Sequence, residues 1–292
     1  MATPNPQAHA TAERAIEEFR VALVAELAGE SLELPSFPEV ALRVRKALGN
    51  PDIAVDEVVR MVGAEPSLSV RLLQLANSAA LNPSGQRITV LRIAIARIGF
   101  NLARSATIAF AMSQMRRADA WRGLEARFRQ LWEESANLAA MSHAVAKRSR
   151  GVNADLALLA GMLHAVGKLF VLTRLSRFPT LLNTPALYFQ IEGEWHVRIA
   201  RAILTRWEIA GEVITAVEYE QAAQQSSSHA DLRDVLFAAR YIASLPAGNP
   251  QPDPGVFCAL PFQRLGLDPT ACGEILTSSA AEIASLRAAL ID

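Results

Sequence analysis

The chain has 292 residues, of which 51% are hydrophobic and only 6% aromatic, and its 29 basic and 29 acidic side chains balance to a formal charge of zero. A chain of this length and apolar content can bury a sizeable core, as one large domain or two smaller ones. The balanced charge argues against a duplex-binding protein, because such proteins usually depend on an excess of basic residues. The two cysteines, Cys258 and Cys272, lie far apart, which excludes a zinc ribbon and a secreted disulfide framework.

The amino terminus has neither the basic start nor the apolar centre of a signal peptide, and residues 1–10 are expected to be disordered. The most apolar window, 154–172, contains Asp155, His164 and Lys168, each of which is costly to place in lipid. We therefore expect a cytoplasmic protein without a membrane partner, in which this window is a helix buried in the core.

Helical spacing of apolar residues recurs along nearly the whole chain, with proline, serine or threonine at helix starts and glycine at helix ends. The pattern predicts helices over residues 11–28, 39–48, 55–62, 66–80, 89–99, 100–115, 124–148, 155–175, 195–207, 212–225, 231–245 and 269–290, the last as one helix or two. The helix over 231–245 is expected to be capped near Ser228. The two prolines of 34–38 predict an extended stretch, and the four prolines of 246–254 predict a loop. Sustained alternation of period two is nearly absent, so the fold class is all-α.

A charged segment at 116–123, ending in glycine, predicts a boundary between two packed helical subdomains. The expected organisation is a tail and helix over 1–29, an N-terminal helical part over 30–118, and a second helical subdomain with C-terminal helices over 119–292. Both parts are rich in apolar helices, so we expect a continuous interface between them.

His164 has the most informative context of the five histidines, because an apolar run delivers it towards the core and Gly167-Lys168 follows at once. The segment resembles the Leu-His-Asp-hydrophobic-Gly-Lys signature of the HD phosphohydrolase superfamily. In that superfamily the adjacent His and Asp are metal ligands, and the carboxylate helps to hold the ions that activate water. Here Ala165 occupies the aspartate position, and alanine cannot bind a metal.

The chain is identified as a member of the HDOD family, a degenerate branch of that superfamily, by motifs that run from about Leu34 to Gln221. These motifs are Leu34-Pro35-x-Phe37-Pro38, Glu65-Pro66-Ser67-Leu68, Leu75-Ala76-Asn77-Ser78-Ala79, Ile88-Thr89 and Ala94-Ile95-x-x-Ile98-Gly99. The resemblance implies an HD-like helical bundle packed on an N-terminal helical subdomain, with Asn77 and Ser78 as family motif residues. From the residues alone, Asn77-Ser78 also fits the end of a helix that leads into a turn.

The same resemblance defines a vestigial pocket in the second subdomain. Glu134 stands where the family carries its first histidine, and His196, four residues after Glu192, matches a later one. Glu220 and Gln221 align with a His-His pair. Two imidazoles and two scattered carboxylates could hold one metal ion, or could satisfy one another as buried polar groups. We expect His164 and His196 to approach each other without a metal or other cofactor.

Three functions remain open. The resemblance implies a non-enzymatic signalling or scaffolding module, a pseudoenzyme that contacts regulatory proteins such as components of cyclic-di-GMP or two-component pathways. The alternatives are a residual metal-dependent phosphohydrolase acting on nucleotides or cyclic nucleotides, and a sensor that binds a nucleotide without cleaving it. Nucleic acid is not expected as a partner. The sequence contains no glycine-rich phosphate loop and no nucleophile elbow.

Overall fold

The structure, a computed structural model, describes residues 6–28, 43–44, 46–47, 50, 52–115, 123–218, 229–245 and 253–291. Within these ranges the α-helices are α1 (Pro6–Ala28), α2 (Val55–Gly63), α3 (Pro66–Ala76), α4 (Leu91–Met115), α5 (Glu125–Arg148), α6 (Ala154–Leu163), α7 (Val166–Leu175), α8 (Pro179–Leu182), α9 (Pro185–Arg206), α10 (Gly211–Glu218), α11 (Leu232–Ser244), α12 (Leu260–Leu265), α13 (Pro269–Ser278) and α14 (Ala280–Ile291). A 3₁₀ helix spans Pro254–Cys258. No strand occurs in this part of the chain, which confirms the all-α prediction.

Several predicted helix bounds were wrong. Helix α1 begins at Pro6, inside the stretch expected to be disordered, because a proline is tolerated in the first turn of a helix. The expected single helix over 155–175 is two helices, since the chain turns at His164 and Ala165. Helix α9 begins at Pro185, ten residues before the predicted start at Trp195.

The predicted cap of α11 was also wrong. Its N-cap is Asp231, whose carboxylate accepts hydrogen bonds from the backbone amides of Arg233 and Asp234. The Asp234 carboxylate in turn accepts a hydrogen bond from the Asp231 backbone amide. This reciprocal capping box satisfies two helix N–H donors and one cap N–H. The predicted extended stretch 34–38, the boundary residues 116–122, Ser228 and most of the 246–254 loop lie outside the described residues.

The break predicted at Gly99 is confirmed. Gly99 has φ 74° and ψ 166°, which interrupts α4 with a kink. A β-carbon makes this backbone conformation unfavourable, so glycine is the residue that permits the bend. The second half of α4 can then run against α6 in the core.

Buried apolar side chains of both halves form one connected core. The last helix, α14, packs against α5 of the second half and against α3 and α4 of the first. Arg71 donates a hydrogen bond from Nη1 to the Ala289 carbonyl at 2.9 Å, and the Ala79 amide donates to Ser285 Oγ at 3.0 Å. The C-terminal helix, which belongs to the second part of the predicted division, is therefore hydrogen-bonded to the first part, and the division itself stays a prediction.

The stretches Leu91–Ala111 and Ala154–Leu175 are long and apolar enough to span a membrane by length and composition alone. Core helices meet the same criteria, and 61% of the first window and 94% of the second are buried inside the protein. The second stretch agrees with the prediction of a helix enclosed by the rest of the chain.

Asn77 has a clear structural role at the end of α3. Its Nδ2 donates to the carbonyls of Leu73, at 2.8 Å, and Ile88, at 2.7 Å, and its Oδ1 accepts from the Ile88 amide at 2.7 Å. The side chain thus caps the helix and pins the following loop to it, as expected for an amide that replaces missing backbone partners. Ser78 is buried beside it.

Candidate functional site

The site is organised by the turn between α6 and α7, where His164 ends one helix and Ala165 precedes the next. Two glycines allow the flanking helices to approach neighbouring backbone. A β-carbon on Gly161 would lie 2.6 Å from Ala139 Cα, and one on Gly167 would lie 1.9 Å from the His196 carbonyl oxygen. Glycine at both positions therefore brings α6 against α5 and α7 against α9, which sets the walls of the site.

His164 is buried and neutral. Its Nδ1 lies 2.7 Å from the Gly161 carbonyl oxygen, and because a carbonyl only accepts, Nδ1 carries the proton and Nε2 keeps its lone pair. The pKa of His164 is lowered to about 3, mainly by burial and also by the nearby charges of Arg240, Lys168 and His196, whereas the hydrogen bond to Gly161 opposes the shift. His196 is therefore near enough to act on His164 electrostatically, and a direct approach of the two rings stays a prediction.

Helix α9 supplies three further polar side chains, Tyr188, Glu192 and His196, at intervals of about one turn. His196 Nδ1 lies 2.7 Å from the backbone carbonyl oxygen of Glu192, to which it donates. The Glu192 carboxylate accepts a hydrogen bond from the Tyr188 hydroxyl at 2.7 Å and lies 3.5 Å from Lys168 Nζ. This carboxylate is therefore already occupied by a hydroxyl donor and a cation.

A cavity of about 330 Å³ opens beside this row of groups. Its lining is Arg127, Gln130, Leu131, Glu134, Lys168, Pro185, Tyr188, Phe189 and Glu192. Glu134 is exposed at its edge and accepts a hydrogen bond from Gln130 Nε2 at 2.9 Å. The Arg127 guanidinium lies 4.8 Å from the centre of the Tyr188 ring, in a cation–π contact. Burial and the hydrogen bond to Glu192 raise the pKa of Tyr188 above its ordinary value, so its hydroxyl stays a donor.

The structure thus brings together most of the predicted pocket residues that it describes. The His196 backbone lies against Gly167, three residues after His164, and Glu192 and Glu134 line the adjoining cavity, whereas Glu220 and Gln221 lie outside the described residues. Sequence reasoning missed Arg127 and Tyr188 and assigned no role to Lys168 and Arg240. The spacing of Tyr188, four residues before Glu192 and eight before His196, was a signal that could have revealed the tyrosine.

The donor set does not fit the divalent cation that the HD signature implies. Ala165 is completely buried and offers no donor at the position where a carboxylate would join His164. The Glu192 carboxylate is bound by Lys168, and a cation there competes with a metal for the same charge. Among the described residues no group of three His, Cys, Asp or Glu side chains could hold a metal ion.

We expect the protein to lose stability in mild acid because of two buried histidines. Burial is the main cause that lowers the pKa of His164 to about 3 and that of His143 to about 4. For His143, Lys147 adds to the lowering and Glu282 opposes it. The unfolded chain binds these protons near pH 6.5 and the folded chain does not, so stability is complete above that pH and falls as the pH drops towards 4.

Each histidine is expected to contribute a slope of about 1.4 kcal/mol per pH unit in this window. The measurement is the free energy of unfolding by urea between pH 7 and pH 4. His143→Leu removes one buried titrating ring and one buried nitrogen, Nδ1, that has no hydrogen-bond partner, and is expected to reduce the slope by about half. A variant with the wild-type slope would show that His143 is protonated in the folded protein.

Comparisons with known proteins by sequence and by structure point to the same family. A sequence model described as HDOD domain matches residues 34–223. The chain is also similar to an uncharacterized protein of Treponema pallidum (strain Nichols), with 22% identity over 211 residues, 68% of this chain and 39% of the relative. It therefore spans about two fifths of the length of that curated relative.

Three solved structures resemble this fold. A candidate metal-dependent phosphohydrolase from Shewanella amazonensis SB2B has 26% identity and a TM-score of 0.77, with 95% of this chain and 99% of that chain covered. An HDOD domain protein with unknown function from Geobacter sulfurreducens has 23% identity and a TM-score of 0.58, with 88% and 92% covered. A candidate signal transduction protein from Marinobacter aquaeolei VT8 has 21% identity and a TM-score of 0.61, with 97% of this chain and 66% of that chain covered.

Proposed function

Because the chain belongs to the HDOD family, we propose that it is a non-enzymatic regulatory module that acts through contacts with other signalling proteins. The observation that carries the proposal is the buried methyl group of Ala165 beside the neutral His164. A hydrolytic HD site needs an anionic ligand there to hold the metal and lower the pKa of its water. The similarity to a signal transduction protein supports a regulatory role. The polar side chains that remain in the pocket, Lys168, Tyr188 and Glu192, serve as partners for one another.

The contacts of the Glu192 carboxylate give further support to a non-enzymatic role. In a working site a carboxylate at this place would be free to bind metal, whereas here Lys168 supplies the positive charge and Tyr188 a hydroxyl donor. Such an arrangement gives a partly buried carboxylate a cation and a hydroxyl donor as partners without a metal. The pocket then serves as a set of polar contacts between α7 and α9. The contacts with other signalling proteins are made by the surface of the domain.

The proposal predicts that metal binding can be created by one substitution. In Ala165→Asp a carboxylate is placed next to the Nε2 lone pair of His164, and Mn²⁺ is expected to stabilise the variant by about 2.7 kcal/mol at a concentration a hundredfold above its Kd. Wild type is expected to show no Mn²⁺-dependent shift of Tm. Ala165→Asn, which has the same shape without the charge, is the matched control and should resemble wild type.

Elemental analysis of untagged wild-type protein, with phosphoester and cyclic dinucleotide hydrolysis assays, completes the test. We expect far less than one equivalent of iron, manganese or zinc and no turnover. Near-stoichiometric metal together with turnover that disappears in His164→Ala would overturn the proposal in favour of a residual phosphohydrolase.

A second candidate function, a nucleotide sensor, is favoured by the shape and lining of the 330 Å³ cavity. Arg127 and Lys168 could contact an anionic group, and Phe189, 64% exposed, offers a ring for stacking. Nucleotides screened by thermal shift test this function. Stabilisation by a nucleotide that is lost in both Arg127→Ala and Phe189→Ala would establish a sensor in place of a purely protein-binding module.

A further inference from the structure

The first half of the chain carries an unusually one-sided charge. No Asp or Glu occurs between Glu65 and Asp119, and the same stretch contains seven arginines, Arg71, Arg87, Arg92, Arg97, Arg104, Arg116 and Arg117. Arg71 is buried and bonded to Ala289, and Arg92 pairs with Asp56 of α2. Arg87 and Arg97 are exposed, so the surface formed by α3, the following loop and the start of α4 is basic.

This basic surface contains a wide groove. The groove has a volume of about 630 Å³ and is lined by Val70, Leu73, Gln74, Asn77, Asn82, Gly85, Arg87, Ile88 and Thr89. Val70, Val90 and Ile93 on and beside it are 50–53% exposed, which is high for side chains of this size. Arg97 lies one turn after Ile93 on the same face of α4. We call this surface, Val70, Arg87, Val90, Ile93 and Arg97, the basic groove.

Helix α1 carries a surface of complementary character. Its inner face is fixed to the second half: Phe19 and Leu23 are buried, and Phe19 meets the Phe178 ring edge-on at 5.5 Å. On its outer face Val21 and Val24 are 61% and 52% exposed, with exposed Glu17 one turn before Val21. We call Glu17, Val21 and Val24 the acidic stripe.

We propose that the acidic stripe of one copy of this chain docks in the basic groove of a second copy. The two surfaces hold five of the seven large apolar side chains that are exposed among the described residues. Their charges are opposite, since Arg20 of α1 is paired with Glu194 at 2.8 Å and exposed Glu17 adds a carboxylate, whereas the charged groups of the groove are the guanidinium groups of Arg87 and Arg97. Clustered exposed apolar side chains with polar rims are typical of protein interfaces, and opposite charges fix the orientation of approach.

The contact is heterologous, because it joins two different surfaces. After the first contact one copy still has an unused groove and the other an unused stripe, so association continues into a ring or an open chain. The inference goes beyond the proposed regulatory role and does not depend on the metal site, because neither surface includes a residue of the cavity near His164.

Sedimentation velocity of the full chain over about a hundredfold range of concentration tests the contact. Wild type is expected to form species larger than a dimer as concentration rises, and added salt is expected to weaken them by screening the exposed charges. Val24→Glu breaks the stripe and Ile93→Glu breaks the groove, and each is expected to weaken association at least about tenfold. Both sites are exposed, so circular dichroism should show unchanged folding.

Mixing the two variants is the decisive experiment. Val24→Glu keeps an intact groove and Ile93→Glu keeps an intact stripe, so an equimolar mixture is expected to form a one-to-one dimer and nothing larger. Leu260→Glu, at an exposed apolar position outside both surfaces, is the control and should associate as wild type does.

Three outcomes would overturn the proposal. They are a wild-type chain that stays monomeric throughout, association that survives both variants, and variants that remain monomeric when mixed. A fourth would replace it with a nucleic-acid surface: tight binding of a labelled DNA duplex that Arg87→Glu and Arg97→Glu abolish, in a chain that does not self-associate.

Discussion

Replacing Gly167 with alanine is expected to cost the protein about 3 kcal/mol of unfolding free energy or more, which is the upper end of the usual cost of overpacking. The new β-carbon would lie 1.9 Å from the His196 carbonyl oxygen, 2.8 Å from its carbonyl carbon and 3.1 Å from the Ala200 amide nitrogen. These atoms are backbone and cannot rotate away as a side chain can. Helices α7 and α9 must therefore separate, and their close packing is lost.

Gly193→Ala provides the matched control. Gly193 lies in the same helix α9, and its added β-carbon would meet nothing within 4 Å. Alanine has the higher helix propensity, so this variant is expected to gain up to about 1 kcal/mol. Urea unfolding of the two variants measures the difference. Equal stabilities would mean that α7 and α9 do not pack as closely as the structure indicates.

Removing the cation from the buried ion pair between α11 and α12 is expected to have an effect at least as large. Asp234 is completely buried, and the Arg264 side chain that pairs with its carboxylate is only 8% exposed. Arg264 Nε donates to Asp234 Oδ2 at 2.8 Å, and this contact raises the pKa of Arg264 above its ordinary value. Arg264→Met leaves a buried carboxylate without its cation, which typically costs 3–5 kcal/mol, so we expect a loss of about that size.

A double substitution distinguishes lost charge pairing from lost packing. Asp234→Asn with Arg264→Met leaves no buried charge, and the Asn oxygen can still accept from the Asp231 amide, so the double variant should be more stable than Arg264→Met alone. Arg14→Met removes a pair with Glu18 whose side chains are 83% and 57% exposed, and is expected to cost less than about 1 kcal/mol. Thermal and urea unfolding give the comparison. An Arg264→Met variant that matched Arg14→Met would contradict a buried pair.

The sequence by itself determined the fold class and much of the candidate site. Helical spacing of apolar residues follows from local geometry, so it predicted most of the helices and the break at Gly99 without knowledge of any long-range contact. The run from Leu163 to Lys168 likewise predicted that His164 is a core histidine, and its resemblance to the HD signature implied that Ala165 stands at the carboxylate position. These features lie in short segments, where neighbouring residues carry the whole signal.

Only the tertiary structure decided which groups meet. The 155–175 run is predominantly apolar on all sides, so periodicity could not show that it turns at His164, and the turn follows from packing against α5 and α9. The partners of Glu192 lie on two different helices, and Arg264 reaches Asp234 from thirty residues away. Such pairings depend on how helices are placed relative to one another, because a polar side chain is equally compatible with solvent or with a partner until its helix is packed. The same physical reason explains why the sequence pointed to His164 and Glu192 but not to the pairing of Lys168 with the Glu192 carboxylate.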